Sequence, residues 1–128
     1  MRAYILLKLS VLLLTACGGT PDLSERITGR WEMEQVLRNG NDVTAEHDPD
    51  DDRFIVIIAD GTFRSGGHFG ENTGRWSIDT DTGELFIDSD AGENDDSYWF
   101  ISFDDDVMTW TGARGFGREF MLKHRRSQ

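Results

Sequence analysis

The 128-residue sequence is poor in cysteine and proline. Its single cysteine, Cys17, excludes an internal disulfide, so a folded domain must rely on a hydrophobic core. With only two prolines, the apolar residues come in short runs separated by Gly, Asp and Asn. That spacing is typical of a small all-β domain rather than of helices.

Basic residues are also scarce. Without residues 1–16, which contain Arg2 and Lys8 but no acid, the chain has 11 basic and 24 acidic residues, a formal net charge of −13. Such a surface repels nucleic acid and anionic lipid headgroups, so we expect neither as a partner. The chain is nevertheless not of the disordered class, because eight Phe and four Trp can fill a packed core.

Recognisable catalytic motifs are missing as well. The three histidines are His47 and His68, in expected loops, and His124, in a basic C-terminal tail. The sequence contains no Ser-His-Asp spacing, HExxH, GxSxG or phosphate-binding loop. We therefore expect a protein that is not an enzyme and that needs no cofactor.

The long apolar run that does occur is N-terminal. Residues 1–16 combine basic Arg2 and Lys8 with a leucine-rich stretch, the pattern of a secretory signal peptide and too short for a membrane span. The run ends in Leu14-Thr15-Ala16-Cys17, which looks like a bacterial lipobox, where small residues precede an obligatory cysteine. The sequence therefore predicts cleavage before Cys17.

Cys17 is accordingly the predicted lipidation site. Its thiol can accept a diacylglycerol group, and acyl chains such as palmitate would hold the protein on a membrane. Residues 17–26 are then expected to form a flexible lipidated tether. Gly18 and Gly19 lack the aspartate that retains many enterobacterial lipoproteins at the inner membrane, so by resemblance we expect a lipid-anchored protein of the cell envelope, at the outer membrane rather than the inner.

The remaining residues, 27–125, are predicted to form one β domain. The sequence divides into eight strands with a short helical turn near Val43–Glu46, and sequential strands with short connections pair as antiparallel neighbours. An eight-stranded antiparallel up-and-down β-barrel is the expected fold, with an open or flattened barrel as the alternative. The predicted strands are 29–37, 53–59, 62–65, 75–79, 84–88, 97–103, 107–111 and 118–123.

The order of short motifs in this domain resembles the lipocalin superfamily, and more closely the small lipocalin-like lipoproteins common in Bacteroidetes. The motifs are a first Gly-x-Trp at Gly29 and Trp31, "DGTF" at residues 60–63, a second Gly-x-Trp at Gly74 and Trp76, and the closing "FMLKHRR". The resemblance implies an eight-stranded barrel whose Gly-x-Trp is structural, and a small hydrophobic ligand in the barrel mouth. We therefore expect a membrane-anchored lipoprotein that binds such a ligand or acts as an envelope accessory.

"TGRW" occurs at residues 28–31 and again at residues 73–76, and the segments that follow the two copies differ. We interpret both as strand starts, with the arginine pointing outward and the tryptophan pointing into the barrel. If the barrel holds a ligand, the inward-facing residues of two neighbouring strands are candidates to contact it: Trp99, Phe103, Met108 and Trp110.

Two further functions are alternatives. The predicted strands at 53–59 and 97–103 are apolar on both faces, which would suit an interaction module for another envelope protein. Acidic segments at residues 47–52, 79–84 and 88–96 offer the oxygen ligands that calcium prefers, which would suit a calcium-binding β domain. However, these segments lack the complete EF-hand pattern, and tight turns favour the same residues, so we expect no metal site.

Overall fold

The protein folds as a closed antiparallel β-barrel, and the structure, a computed structural model, describes residues 22–128. Eight strands follow one another around the barrel, and the first also pairs with the last. The predicted eight-stranded barrel is thus confirmed, in its closed form. Its strands are β1 (Gly29–Arg38), β3 (Phe54–Ile57), β4 (Thr62–Gly66), β5 (Asn72–Asp79), β6 (Glu84–Ser89), β7 (Ser97–Asp104), β8 (Val107–Gly112) and β9 (Phe120–Arg126).

An additional two-residue strand, β2 (Asn41–Asp42), folds back on the end of β1. The turn consists of Asn39 and Gly40, both with positive φ, which matches the twist of a tight hairpin. The helix α2 (Thr44–His47) follows, close to the predicted helical turn. The connection between β1 and β3 is therefore largely structured.

A short helix precedes the barrel. Helix α1 (Leu23–Ile27) begins at Asp22, whose side chain accepts a hydrogen bond from the Glu25 backbone N–H at 3.0 Å. The prediction of a flexible tether is wrong for residues 23–26, because Ile27 is fully buried and secures the helix against the barrel. Cys17, residues 17–21 and the predicted signal peptide lie outside the described residues. Among residues 22–128, no helix is both long and apolar enough to cross a bilayer.

The two ends of the barrel differ. Strand β1 starts at one end, which we call the closed end, together with α1 and the turns β3–β4, β5–β6 and β7–β8. The opposite end, the mouth, carries the longer connections: residues 39–53, 67–71, 90–96 and 113–119. Two 3-10 turns, Glu93–Asp95 and Gly115–Glu119, belong to the mouth.

The last strand is shifted relative to the prediction, because it begins at Phe120 instead of Arg118 and ends at Arg126 instead of Lys123. Strand β9 continues through the basic tail to Arg126, because it pairs with both β1 and β8 and closes the sheet. Its alternation turns Leu122 and His124 into the barrel and leaves Arg125 exposed, where it forms an ion pair with Glu34 at 2.6 Å. A basic-looking tail is thus a barrel strand.

Candidate functional site

The closed end is sealed by contacts around Trp31, which is fully buried. The Trp31 indole N–H donates to the Ile27 carbonyl at 2.8 Å, and the Arg126 guanidinium lies 4.1 Å from the centroid of the Trp31 ring. Arg126 also donates to the backbone carbonyls of Thr28 at 3.0 Å and Arg26 at 2.8 Å. Helix α1, the first strand and the last strand are therefore joined at one point.

The two Gly-x-Trp motifs serve different local purposes. Gly29 has a φ of +124°, and a Cβ there would lie 2.8 Å from Arg126 Nη1, so glycine permits both the turn into β1 and the approach of Arg126. Gly74 instead makes room for the Asp88 backbone carbonyl, the nearest atom to a Cβ there, and for the Phe63 ring, which a Cβ would meet at 2.6 Å.

Gly74 is also the third residue of β5 and not its start, which corrects the interpretation of the second "TGRW" as a strand start. Both tryptophans point into the barrel and both arginines outward, as expected. Trp76 is only half-buried and donates to the Ile58 carbonyl at 2.8 Å.

The mouth half of the barrel contains a cavity of about 500 Å³. Its lining is mixed: aromatic and aliphatic side chains form part of the wall, and polar or charged side chains, among them Arg53, Asp95 and His124, form a comparable part. This volume lies within the usual range of about 300–1,000 Å³ for small-molecule sites. The apolar wall includes Met33, Ile55, Phe63, Ile87, Trp99, Trp110 and Leu122.

The predicted ligand-contacting residues separate into two groups. Trp99 and Trp110 line the cavity, and their ring centroids are 5.7 Å apart. Met108 is fully buried toward the closed end, and Phe103 packs there against Trp31 at 6.1 Å. Phe103 and Met108 do not line the cavity, because their strands run past it to the closed end.

His124 is a polar residue of the cavity wall that sequence analysis assigned to a basic tail. It is almost fully buried, and its ring centroid lies 4.7 Å from that of Trp110. Burial, and then the nearby positive charge of Arg53, lower the pKa of His124 from 6.5 to about 3, although a hydrogen bond with the Met108 backbone opposes this shift. The ring is therefore neutral at pH 7.

Two polar atoms in this wall have no hydrogen-bond partner: Trp110 Nε1 and His124 Nδ1. An unpartnered buried polar group costs on the order of 1–3 kcal/mol. Both nitrogen atoms are themselves buried, so they lie beneath the surface that lines the cavity and not on it.

Arg53 lies at the entrance to this cavity, where the loop before β3 holds it. The Asp48 carboxylate accepts hydrogen bonds from the backbone N–H groups of Asp52 and Arg53, each at 3.0 Å, and the Arg53 guanidinium donates to the His47 carbonyl at 3.3 Å. Burial lowers the pKa of Arg53, while the charges of Asp48 and Asp95 oppose the shift. The cation is thus accompanied by two carboxylates.

The rim of the mouth is acidic and carries two exposed aromatic residues. Phe69 is 71% exposed and Phe116 94% exposed, and both border the cavity. His68 contacts Asp50 at 2.6 Å and donates its backbone N–H to Asp52 at 3.1 Å, which ties two mouth loops together. The rim therefore has apolar groups where a ligand would enter.

The acidic loops use their carboxylates within their own turns. Asp79 accepts from the backbone N–H groups of Asp81 and Thr82, and Asp60 accepts from both the backbone and the hydroxyl of Thr62. Within residues 22–128, no three His, Cys, Asp or Glu side chains form a group able to hold a metal ion. These contacts give the calcium alternative no support.

The outward apolar side chains are largely covered by arginines. The Arg30 guanidinium lies 4.0 Å from the Phe54 ring centroid, and that of Arg114 lies 4.1 Å from the Tyr98 ring centroid. Tyr98 also stacks on Phe86 at 4.7 Å. Cation–π contacts of this kind cover ring faces, whereas Phe100 on β7 and Ile58 after β3 stay 46% and 40% exposed.

The barrel is shared with a solved structure, that of a DUF4847 family protein from Bacteroides vulgatus. The two superpose with a TM-score of 0.59 and 17% identity, over 80% of this chain and 96% of that chain. A likeness at this identity concerns the fold alone. No protein-family model and no curated protein matches the sequence.

Proposed function

We propose that this protein is a lipocalin-like lipoprotein of the cell envelope that binds a small, mainly apolar molecule in the mouth half of its barrel and performs no catalysis. The observation that carries the proposal is the cavity of about 500 Å³ with its aromatic and aliphatic wall. Removing the apolar surface of a ligand from water would contribute roughly 25 cal/mol per Å².

The asymmetry of the barrel supports this function. Trp31, Ile57 and Leu85 fill the closed half, so the barrel is not hollow throughout, while the mouth half leaves space for one molecule. Phe69 and Phe116 at the rim give an apolar ligand its first contacts. Exposed aromatic residues that did not border a cavity could not contact an entering ligand in this way.

The membrane anchor rests on the sequence. Residues 1–16 and the Leu14-Thr15-Ala16-Cys17 pattern support acylation of Cys17 and an outer-membrane location. The closed barrel supports the lipocalin-like assignment, because a closed antiparallel barrel is the fold that the resemblance implies. The positions of the two Gly-x-Trp motifs, on the first and fourth strands of the barrel, also support it.

Binding can be tested with a neutral apolar fluorophore, N-phenyl-1-naphthylamine. We expect saturable fluorescence enhancement with one molecule bound per chain. Ser65→Trp, which adds bulk at the cavity wall, should weaken this binding at least tenfold. Ser102→Trp adds the same bulk at an exposed position on β7 and is the matched control, which should bind as the unmodified protein does.

Absence of saturable binding in the unmodified protein would reject the proposed function. Binding to Ser65→Trp as tight as binding to Ser102→Trp would place the fluorophore elsewhere on the molecule. Circular dichroism of both variants establishes that the barrel is still folded.

The anchor has its own test. The protein recovered from cell membranes should begin at Cys17 and carry the added mass of its acyl chains. Cys17→Ser should release the protein from the outer-membrane fraction. An N-terminus upstream of Cys17, or an unchanged membrane fraction for Cys17→Ser, contradicts lipidation while leaving the binding function intact.

A further inference from the structure

One arginine lies on the inward face of the barrel, at its mouth. Arg53 precedes β3, and its carbonyl accepts a hydrogen bond from the Met33 backbone N–H at 2.9 Å, so the pairing with β1 continues to this residue. Since side chains alternate along a strand, Arg53 shares the inward face of Ile55 and Ile57. Arg53 lines the cavity, and its charge helps to lower the pKa of the buried His124. The cation therefore faces the interior.

The cavity wall is polar near the mouth and apolar below it. Arg53 is one inward position nearer the mouth than Ile55, and Ser97 is one inward position nearer the mouth than Trp99. Asn72, at the mouth end of β5, also lines the polar level. This arrangement fits a molecule with an apolar body and one polar end, because the polar end can lie beside Arg53 while the body fills the space below.

The Arg53 guanidinium has unused hydrogen-bond donors. A guanidinium has five N–H bonds, and in the structure that of Arg53 donates to the His47 carbonyl, at 3.3 Å from Nη1. Arg53 takes part in none of the ion pairs formed within residues 22–128. Unlike the unpartnered nitrogen atoms of Trp110 and His124, Arg53 Nε and Nη2 are not fully buried. A group inside the cavity can therefore contact them.

The two carboxylates near Arg53 have other partners. Asp48 accepts hydrogen bonds from two backbone N–H groups, one of them that of Arg53 itself, each at 3.0 Å. Asp95 accepts from Asn72 at 3.2 Å and from Ser89 at 2.7 Å. Both charges act on Arg53 without an ion pair. They oppose an incoming anion, so an anion must contact the guanidinium directly, as a carboxylate does through two parallel N–H···O bonds.

We propose that the ligand is an amphiphile with one carboxylate, which accepts hydrogen bonds from the Arg53 guanidinium while its apolar chain lies against Ile55, Trp99 and Leu122. This inference rests on the proposed function and specifies the ligand class of the same cavity. A neutral alcohol would leave the partly buried charge of Arg53 without a counterion, and a cationic amphiphile would be repelled by it.

A series of ligands with the same chain length tests the class. The full chain with Cys17→Ser, which carries no acyl group that could compete for the cavity, is saturated with N-phenyl-1-naphthylamine at pH 7.5. Decanoate, 1-decanol and decyltrimethylammonium then compete with the fluorophore. We expect decanoate to displace it at a concentration roughly tenfold below that of decyltrimethylammonium, and to compete at least as well as 1-decanol.

Variants of the charged residues locate the contact. Arg53→Gln should weaken competition by decanoate roughly tenfold and leave that by 1-decanol within about twofold. Arg64→Gln is the matched control, because Arg64 is exposed on the outer face of β4 and does not line the cavity. It should compete as the unmodified protein does. Asp95→Asn removes a negative charge near Arg53 and should strengthen decanoate about two- to fivefold.

The folding of each variant is checked by circular dichroism. If Arg53→Gln does not fold, Arg53→Lys decides, because it keeps the charge but not the planar fork. Arg53→Lys should then weaken decanoate about threefold relative to 1-decanol.

The outcomes separate this inference from the proposed function. Stronger competition by 1-decanol or decyltrimethylammonium than by decanoate overturns the carboxylate class but keeps an apolar ligand. Equal weakening of decanoate by Arg53→Gln and Arg64→Gln assigns the effect to overall charge and overturns the role of Arg53. No binding of the fluorophore itself rejects the proposed function, and this inference with it.

Discussion

The closed half and the mouth half of this barrel are built from the same eight strands but are filled differently. In the closed half, a helix, a buried tryptophan and an arginine meet, and the Trp31 N–H has a partner at 2.8 Å. In the mouth half, Trp110 Nε1 and His124 Nδ1 have none, beside a cavity of about 500 Å³.

This difference indicates that packing, and therefore the contribution to stability, changes along the barrel axis. Close packing stabilises a fold because it removes apolar surface from water and leaves no voids. Empty space and unpartnered buried polar atoms have the opposite effect on stability. The closed half accordingly contributes stability, and the mouth half is the part to which the proposed function assigns ligand binding.

The largest expected effect comes from truncating the tryptophan of the closed half. Trp31→Ala should lower the free energy of unfolding by about 3–5 kcal/mol, because it leaves a void and removes the hydrogen bond to Ile27. Chemical denaturation measures the loss.

Trp99→Ala is the matched comparison in the mouth half. Its loss in the free energy of unfolding should be at least ~1 kcal/mol smaller than that of Trp31→Ala. Trp99 already borders empty space, so truncating it removes fewer packing contacts. Equal losses for the two variants would contradict the division between the halves.

An intermediate effect is expected from acid. The folded-state pKa of His124 is depressed to about 3, so below pH 6.5 the unfolded chain binds a proton that the folded chain does not. Stability is therefore retained above pH 6.5 and lost as the pH falls toward 3. The full slope is about 1.4 kcal/mol per pH unit, and it is reached only below pH 6.5, where the unfolded-chain imidazole is half protonated; the loss between pH 6.5 and 4.5 is therefore ~2 kcal/mol.

His124→Leu isolates this contribution. Denaturation midpoints measured from pH 7.5 to 4.5 should fall less steeply for the variant than for the unmodified protein, because the variant has no buried imidazole to protonate. Parallel curves would show that the His124 ring is already protonated, or accessible to water, in the folded barrel.

The smallest effect is expected at the rim. Phe116→Ser should change the free energy of unfolding by less than about 0.5 kcal/mol, because Phe116 is 94% exposed and contributes no core packing. Urea denaturation of the variant provides the measurement. A loss above ~1 kcal/mol would show that the rim packs as the closed half does, and would weaken its assignment as an entrance.

Much of the fold could be predicted from the sequence, because alternation and turn chemistry are local signals. Asp60-Gly61 marked the β3–β4 hairpin, and β6 and β7 began at their predicted residues, Glu84 and Ser97. The Asn39-Gly40 turn was an equally strong signal, but the polar residues around it concealed a strand of only two residues.

The candidate site was harder to predict, since it depends on pairing across the barrel. Trp99 and Trp110 could be named from alternation alone, whereas Met108 and Phe103 share the same faces but lie beyond the cavity floor. Where a cavity begins along a strand is not a local property of its sequence.

The inward position of His124 was not predicted, because its sequence neighbours are basic. The run of Lys, His and two Arg at the C-terminus suggested a solvated tail, and only continued pairing of β9 with β1 and β8 turns every second residue inward. The alternation of Leu122 and His124 was the available signal, and it required treating the basic run as a strand.

The position of α1 has a consequence for how the molecule would sit on a membrane. The described chain enters at the closed end, and Cys17 is only five residues before Asp22, a distance of at most ~17 Å when fully extended. A barrel anchored through Cys17 would be attached to the membrane near its closed end, with its mouth directed away from the lipid. A ligand would then be exchanged with the surrounding water or with a neighbouring protein, and would not enter directly from the bilayer.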